Sequence, residues 1–149
     1  MNTEEAAALA NAMSRECIAF RVRLLNRVIT KLYDHNLQEL GITANQGTML
    51  IVLARRPQMS RKELGRIMQM EKSTVSRNLD RMLDQGWLKE LPHPNGTLRP
   101  LALTDAGRTM LGRVYRQWQI SQEQARNLLG ADNFAQIKTL TDRLSGSGQ

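Results

Sequence analysis

Residues Ser60 to Arg99 place a helix-turn-helix directly ahead of a short hairpin, and few folds accept that order. Ser60-Arg61-Lys62-Glu63 is a capping box that opens a short helix through about Met68, with Leu64 and Ile67 pointing inward and Arg61 and Lys62 outward. After a turn near Gln69 to Glu71, a second helix runs to about Gln85. It buries Val75, Leu79, Met82 and Leu83 and leaves Ser73, Thr74, Ser76, Arg77 and Arg81 on its other side. Gly86 ends it, Trp87 to Leu91 is extended, Pro92-His93-Pro94-Asn95-Gly96 turns the chain, and Leu98 to Leu103 returns as a second strand. Pro100, which has no N–H to donate, implies that at least one strand has an exposed edge. The order points to a winged helix-turn-helix: mainly α, with a small β-hairpin as the wing.

Charge is concentrated on the same segment. Between Arg55 and Arg99 lie ten basic and five acidic residues, so this stretch carries +5 of the chain's +7. A basic face gains affinity for duplex DNA by displacing the counterions condensed on its phosphates, and local density counts for more than the total. A solvated basic surface kept for solubility is the plainer alternative, and the motif argues against it. Aromatic residues make up only 4% of the chain, which gives a single-strand or RNA stacking platform little to build on. Duplex DNA is therefore the expected partner.

Other chemistries find no support. No glycine-rich phosphate loop, paired His/Glu metal spacing or nucleophile elbow is present, so neither an enzyme nor a cofactor is expected. His35 and His93 stand alone and read as exposed or structural histidines. Cys17 is the single cysteine, which excludes an intramolecular disulfide and a thiolate metal cluster. The longest apolar run, Met49 to Ala54, is far too short to span a bilayer, and the acidic N-terminus lacks the basic flank of a signal peptide. A cytoplasmic protein is expected.

Helices flank the basic segment. From about Glu4 to Leu40 there is no proline or glycine, and apolar residues recur at Ile18, Val22, Leu25, Ile29 and Leu32, with a second row at Phe20, Leu24 and Val28. That spacing predicts one long helix stopped by Gly41, with more apolar surface than a small domain can cover, so that one side is free to face a partner chain. Thr43-Ala44-Asn45-Gln46 is a second capping box, opening a helix to about Ala54 that Pro57 closes. Thr104-Asp105 caps a fifth helix through Leu111, Val114, Trp118, Ala125 and Leu128, ended by Gly130. A last helix from about Asp132 to Leu144 aligns Phe134, Ile137, Leu140 and Leu144 on one side, and Ser145 to Gln149 reads as a polar, disordered tail.

The DNA-reading candidates follow from this layout. Short hydroxyl side chains near the start of the second motif helix let the backbone approach, and free N–H groups there favour phosphate. These are Ser73, Thr74 and Ser76, with Lys72 and Arg61 beside them. Arg77 is placed to reach a guanine edge with its planar fork. Arg81 lies one turn on beside Asp80 and Asp84, and is equally suited to stabilising the helix or touching DNA. In the hairpin, Asn95, Thr97 and Arg99 face a minor groove, where negative potential is concentrated. The plainer alternative is a turn at Asn95-Gly96 with Arg99 as a surface charge.

The run from Ser73-Thr74-Val75-Ser76-Arg77 through Asp80-Arg81-Met82-Leu83, Gln85-Gly86-Trp87-Leu88 and Leu101-Ala102-Leu103-Thr104-Asp105-Ala106-Gly107 resembles the MarR family of bacterial transcriptional regulators. Leu40-Gly41-Ile42-Thr43-Ala44-Asn45-Gln46 is similar to that family's approach to its second helix. The resemblance implies a homodimer held by the first helix and the last two, presenting two winged helices to successive major grooves of a pseudo-palindromic operator. It further implies a regulator, usually a repressor, released when a small aromatic or anionic effector binds between the dimerisation helices and the DNA-binding lobe. On this reading residues 1–42 form an N-terminal dimerisation helix, 43–104 the DNA-binding lobe, and 105–149 the C-terminal dimerisation helices and tail.

Two points depart from the family. Its wing tip reads Asp-x-Arg, where this chain has Asn95-Gly96-Thr97 and places its arginine two residues later, about 7 Å nearer the body. Some members sense peroxides through a first-helix cysteine. Cys17 is about two residues earlier, a rotation of roughly 200° on a continuous helix, and cysteine is most often a small buried hydrophobe, so control by a small molecule is preferred over redox sensing. A winged-helix protein-assembly module and a constitutive architectural DNA binder remain the competing readings.

Overall fold

The structure is a computed structural model that describes residues 1–94, 96 and 99–146. Its element order is α1 (Thr3–Glu16), α2 (Ile18–Leu37), a 3-10 turn (Gln38–Leu40), α3 (Ala44–Arg55), α4 (Arg61–Met68), α5 (Lys72–Asp84), β1 (Leu88–Glu90), β2 (Leu101–Leu103), α6 (Asp105–Leu129) and α7 (Ala131–Gly146). A mainly helical chain thus carries one two-stranded antiparallel hairpin, as a winged helix requires. Among the described residues no helix is long and apolar enough to cross a membrane.

Local chemistry sets most boundaries. Both capping boxes form: the Thr43 and Ser60 hydroxyls accept from the N–H groups of Gln46 and Glu63, whose side chains accept in return. Thr104 caps α6, and Gly41, Gly86 and Gly130 sit at positive φ where helices end. At Glu63 the hydrogen bonds from Ser60 hold the carboxyl below the usual range; slight burial opposes them and Arg66 adds to them.

The N-terminal helix differs from the expectation of one helix from Glu4 to Leu40. The chain breaks at Cys17, whose ψ of 103° is extended, and the Arg21 guanidinium donates to the Arg15 carbonyl beside the break. No residue of α1 is buried, so no packing enforces a common axis across the junction. Cys17 is therefore exposed at a helix junction instead of buried on a helix side, and the argument from helical rotation does not apply to it.

The core lies under the lobe. Leu37, Ile42, Met49, Leu50 and Leu53 meet Leu64, Val75, Leu79 and Met82, with Trp87, Leu88, Leu101 and Leu103 from the hairpin and Met110 and Val114 from α6. Leu83 is half-buried against it, while Ile67, expected inward, is 37% exposed because the side of α4 facing the core runs through Leu64, Gly65 and the half-buried Met68.

A polar seam joins α2 to α6. The Tyr33 hydroxyl donates to Gln122 Oε1 (2.7 Å), and Asn36 Nδ2 donates to Ser121 Oγ (2.9 Å) and Gln124 Oε1 (2.7 Å). Asp34 Oδ1 accepts the N–H of Ala44 (2.6 Å), tying α2 to the first turn of α3.

The hairpin is shorter than expected, pairing Leu88 with Leu103, Lys89 with Ala102 and Glu90 with Leu101. It also has a partner the sequence did not reveal. Leu101 N–H donates to Met59 O (2.8 Å) and Gln58 N–H to Leu101 O (3.1 Å), so the α3–α4 connection closes one side of β2. Pro100 contributes only its carbonyl, which accepts from Leu91 N–H (2.8 Å), and β1 keeps the open edge. At the C-terminus, Ser145 and Gly146 belong to α7 instead of an irregular tail; residues 147–149 lie outside the described ones.

Candidate nucleic-acid interface

Helix α5 is strongly two-sided. Val75, Leu79 and Met82 are buried, whereas Lys72, Ser73, Arg77 and Arg81 are exposed and Thr74 and Ser76 are half-buried. Its cap residue, Glu71, makes no side-chain capping bond, so the first-turn N–H groups remain open to an outside acceptor. The Thr74 carbonyl accepts from Asn78 Nδ2 (2.9 Å). Among the described residues neither Arg77 nor Arg81 has a carboxylate within 4.0 Å. Of the acidic residues beside Arg81, Asp80 turns to Arg61.

Arg61 departs most from the sequence reading. Expected outward and DNA-facing, it is half-buried and bridges two elements, with Nη1 2.7 Å from Asp80 Oδ1 on α5 and Nη2 3.3 Å from Glu90 Oε1 on β1. Burial works against its charge, but hydrogen bonds and attraction from both carboxylates outweigh that and hold the guanidinium more firmly protonated than usual. Glu90 Oε2 in turn accepts from Arg99 Nη1 at 3.3 Å. Arg99 is 69% exposed at the base of the wing, and Asn95 and Thr97, the other wing candidates, lie outside the described residues. Glu90 is the member of this cluster that sequence reasoning missed. It sits 29 residues from Arg61 in the chain, with no spacing signal between them.

Two concavities border this surface. A groove of about 840 Å³ between α4 and α5 is lined by Arg61, Lys62, Arg66 and Lys72 over Gly65, Met70 and Val75. A second, of about 680 Å³, lies where the end of α7 approaches α3 and α4, and brings Arg55, Arg56 and Arg66 against Val52, Ile67 and Leu144.

Comparison with known proteins agrees with this geometry. Residues 40–96, from the 3-10 turn to the hairpin, match a family model described as MarR family. The chain is 27% identical over 126 residues to the multiple antibiotic resistance protein MarR of Salmonella typhimurium (strain LT2), covering 83% of this chain and 87% of that protein. The MarR protein of Escherichia coli (strain K12) is 26% identical over the same length. Among solved structures, the transcriptional repressor CouR bound to a 23-mer DNA duplex superposes with a TM-score of 0.79 at 18% identity, covering 89% of this chain and 95% of that one. A cysteine-to-serine mutant of E. coli MarR complexed with operator DNA gives 0.77 at 22% identity, covering 89% and 96%. The chain is thus similar to MarR-family proteins, through the family model over residues 40–96 and through relatives aligned over most of its length.

Proposed function

We propose that this protein is a cytoplasmic, homodimeric, sequence-specific transcriptional regulator that binds a pseudo-palindromic duplex operator, acting as a repressor released by a small anionic or aromatic effector. The observation that carries the reading is the outward side of α5, where Arg77 stands exposed without an acidic partner beside Ser73, Thr74 and Ser76 at an open helix start. A guanidinium there can fork onto a guanine edge, while the first-turn N–H groups and Lys72 take phosphate. Relatives of this fold whose structures contain DNA, CouR and E. coli MarR among them, support duplex DNA as the partner.

Support for the dimer comes from apolar side chains that this chain leaves uncovered. Ile18, Phe20, Val22 and Leu24 on α2 are 50–72% exposed, as are Leu128 on α6 and Leu140 and Leu144 on α7. Residues 1–42 and 105–149 would hold the dimer and 43–104 would meet DNA. The concavity at Arg55, Arg56 and Arg66 supports the effector reading, because it lies between α7 and the lobe and offers cations beside apolar side chains. The exposed side of α5 is hydroxyl- and cation-lined, which disfavours a protein-assembly module needing an apolar patch there.

The test is selection of bound fragments from genomic DNA, followed by titration of the enriched sequence. Arg77→Ala should cost roughly 1 to 3 kcal/mol and flatten the preference between enriched and scrambled duplexes. Unchanged affinity and preference at physiological salt would refute the reading.

A further inference from the structure

We propose that Arg61 is a positioning residue that staples the wing to the recognition helix through Glu90 and does not itself contact DNA; this rests on the reading of α5 and the hairpin as the DNA-binding surface. Four side chains of alternating sign, Asp80, Arg61, Glu90 and Arg99, run from α5 over α4 to the hairpin, and each link uses a different nitrogen or oxygen atom. The inner pair is the sheltered one. Side-chain exposure is 32% for Arg61 and 28% for Glu90, against 59% for Asp80 and 69% for Arg99.

That gradient separates the roles of the two arginines. Among the described residues Arg99 has one long ion pair, at the exposed end, so it can exchange Glu90 for a phosphate oxygen at small cost. Arg61 holds two carboxylates at once, and drawing it onto DNA would leave Asp80 without its counter-charge and Glu90 with Arg99 alone. The backbone alone does little to fix the wing, since β1 and β2 pair over only three residues each. A planar guanidinium spanning Asp80 and Glu90 adds a directional polar link between α5 and β1 to the apolar packing of Leu88 beneath it.

The experiment uses the full chain as wild type, Arg61→Gln, Glu90→Gln and the double variant. Without DNA, hydrogen exchange at the Leu91 amide, which donates to Pro100 O, reports opening of the hairpin. Exchange should rise about fivefold in either single variant and no further in the double, because either change breaks the same staple. With the selected duplex, Arg61→Gln should bind about fivefold more weakly at every salt concentration while the slope of log affinity against log salt stays as in wild type. A slope reduced by about one unit would mean that Arg61 neutralises a phosphate and would overturn the proposal. Unchanged exchange, or exchange that adds in the double variant, would overturn it as well. If the wild type shows no sequence preference, the functional reading fails, and the exchange measurement still decides whether the staple exists.

Discussion

Gly107 offers a quantitative test of how the wing is joined to α6. Thr104 N–H donates to Trp87 O (3.1 Å), and Gly107 N–H donates to Thr104 Oγ1 (3.0 Å), so the first turn of α6 rests on the residue that enters β1. A Cβ at position 107 would lie 2.0 Å from Trp87 O and 3.0 Å from its carbonyl carbon. Ordinary carbon–oxygen contacts begin near about 3.3 Å, so the helix or the Trp87 backbone would have to move by more than about 1 Å. Neither has room, because Trp87 is 8% and Leu88 3% exposed. Overpacking of this kind costs about 1–3 kcal/mol or more, and loss of the Thr104 bond adds about 1; the better helix propensity of alanine returns about 1. Gly107→Ala should therefore destabilise by about 1–3 kcal/mol. Gly112, in the same helix, is the internal control: beyond its chain neighbours and its own helix backbone, a Cβ there meets no atom of the described residues within 4 Å, and Gly112→Ala should stabilise by up to about 1 kcal/mol. Urea unfolding followed by helical circular dichroism, with all variants at equal protomer concentration, gives both values. Gly107→Ala within about 0.5 kcal/mol of wild type would show that the close approach at Trp87 is not a constraint.

Arg99→Ala should weaken binding to the selected duplex with little loss of sequence preference and lower the salt slope by up to about one unit; if affinity and slope both hold, Arg99 stays on Glu90 in the complex. Equilibrium sedimentation should return twice the 16.9 kDa chain mass at micromolar concentration, and a well-folded monomer there would leave the exposed side chains of α2, α6 and α7 unexplained. Organic peroxide should leave operator binding equal in wild type and Cys17→Ser; release in the wild type alone would make this exposed thiol a sensor.

What could be read from the sequence was local. Thr43 with Gln46 and Ser60 with Glu63 each solve a helix start within four residues, and Gly86 and Gly130 solve helix ends at a single position. The period of Val75, Leu79 and Met82 likewise oriented α5 without reference to the rest of the chain. The readings that failed depended on distant partners. The bridge from Met59 to Leu101 spans 42 residues, and the break at Cys17 lacks a proline or glycine to mark it. For Ile67 the helical phase was one residue off: the inward side of α4 runs through Leu64, Gly65 and Met68.

The net charge of a region does not say where in it the uncompensated charge lies. Asp80, Arg61, Glu90 and Arg99 contribute two charges of each sign, so setting the cluster aside takes the segment from ten bases and five acids to eight and three, and its net +5 is unchanged. What changes is the location of the uncompensated charge. It moves away from Arg61 toward Lys62, Arg66, Lys72, Arg77 and Arg81 on α4 and α5, around the open start of the recognition helix. Long-range attraction to a duplex depends on the sum, whereas the number of counterions released depends on which cations reach phosphate. Substitutions within the cluster should accordingly alter affinity through wing geometry, and substitutions at Lys62, Arg66 or Lys72 through the salt slope, which separates the two kinds of arginine and lysine by a measurement that needs no structure of the complex.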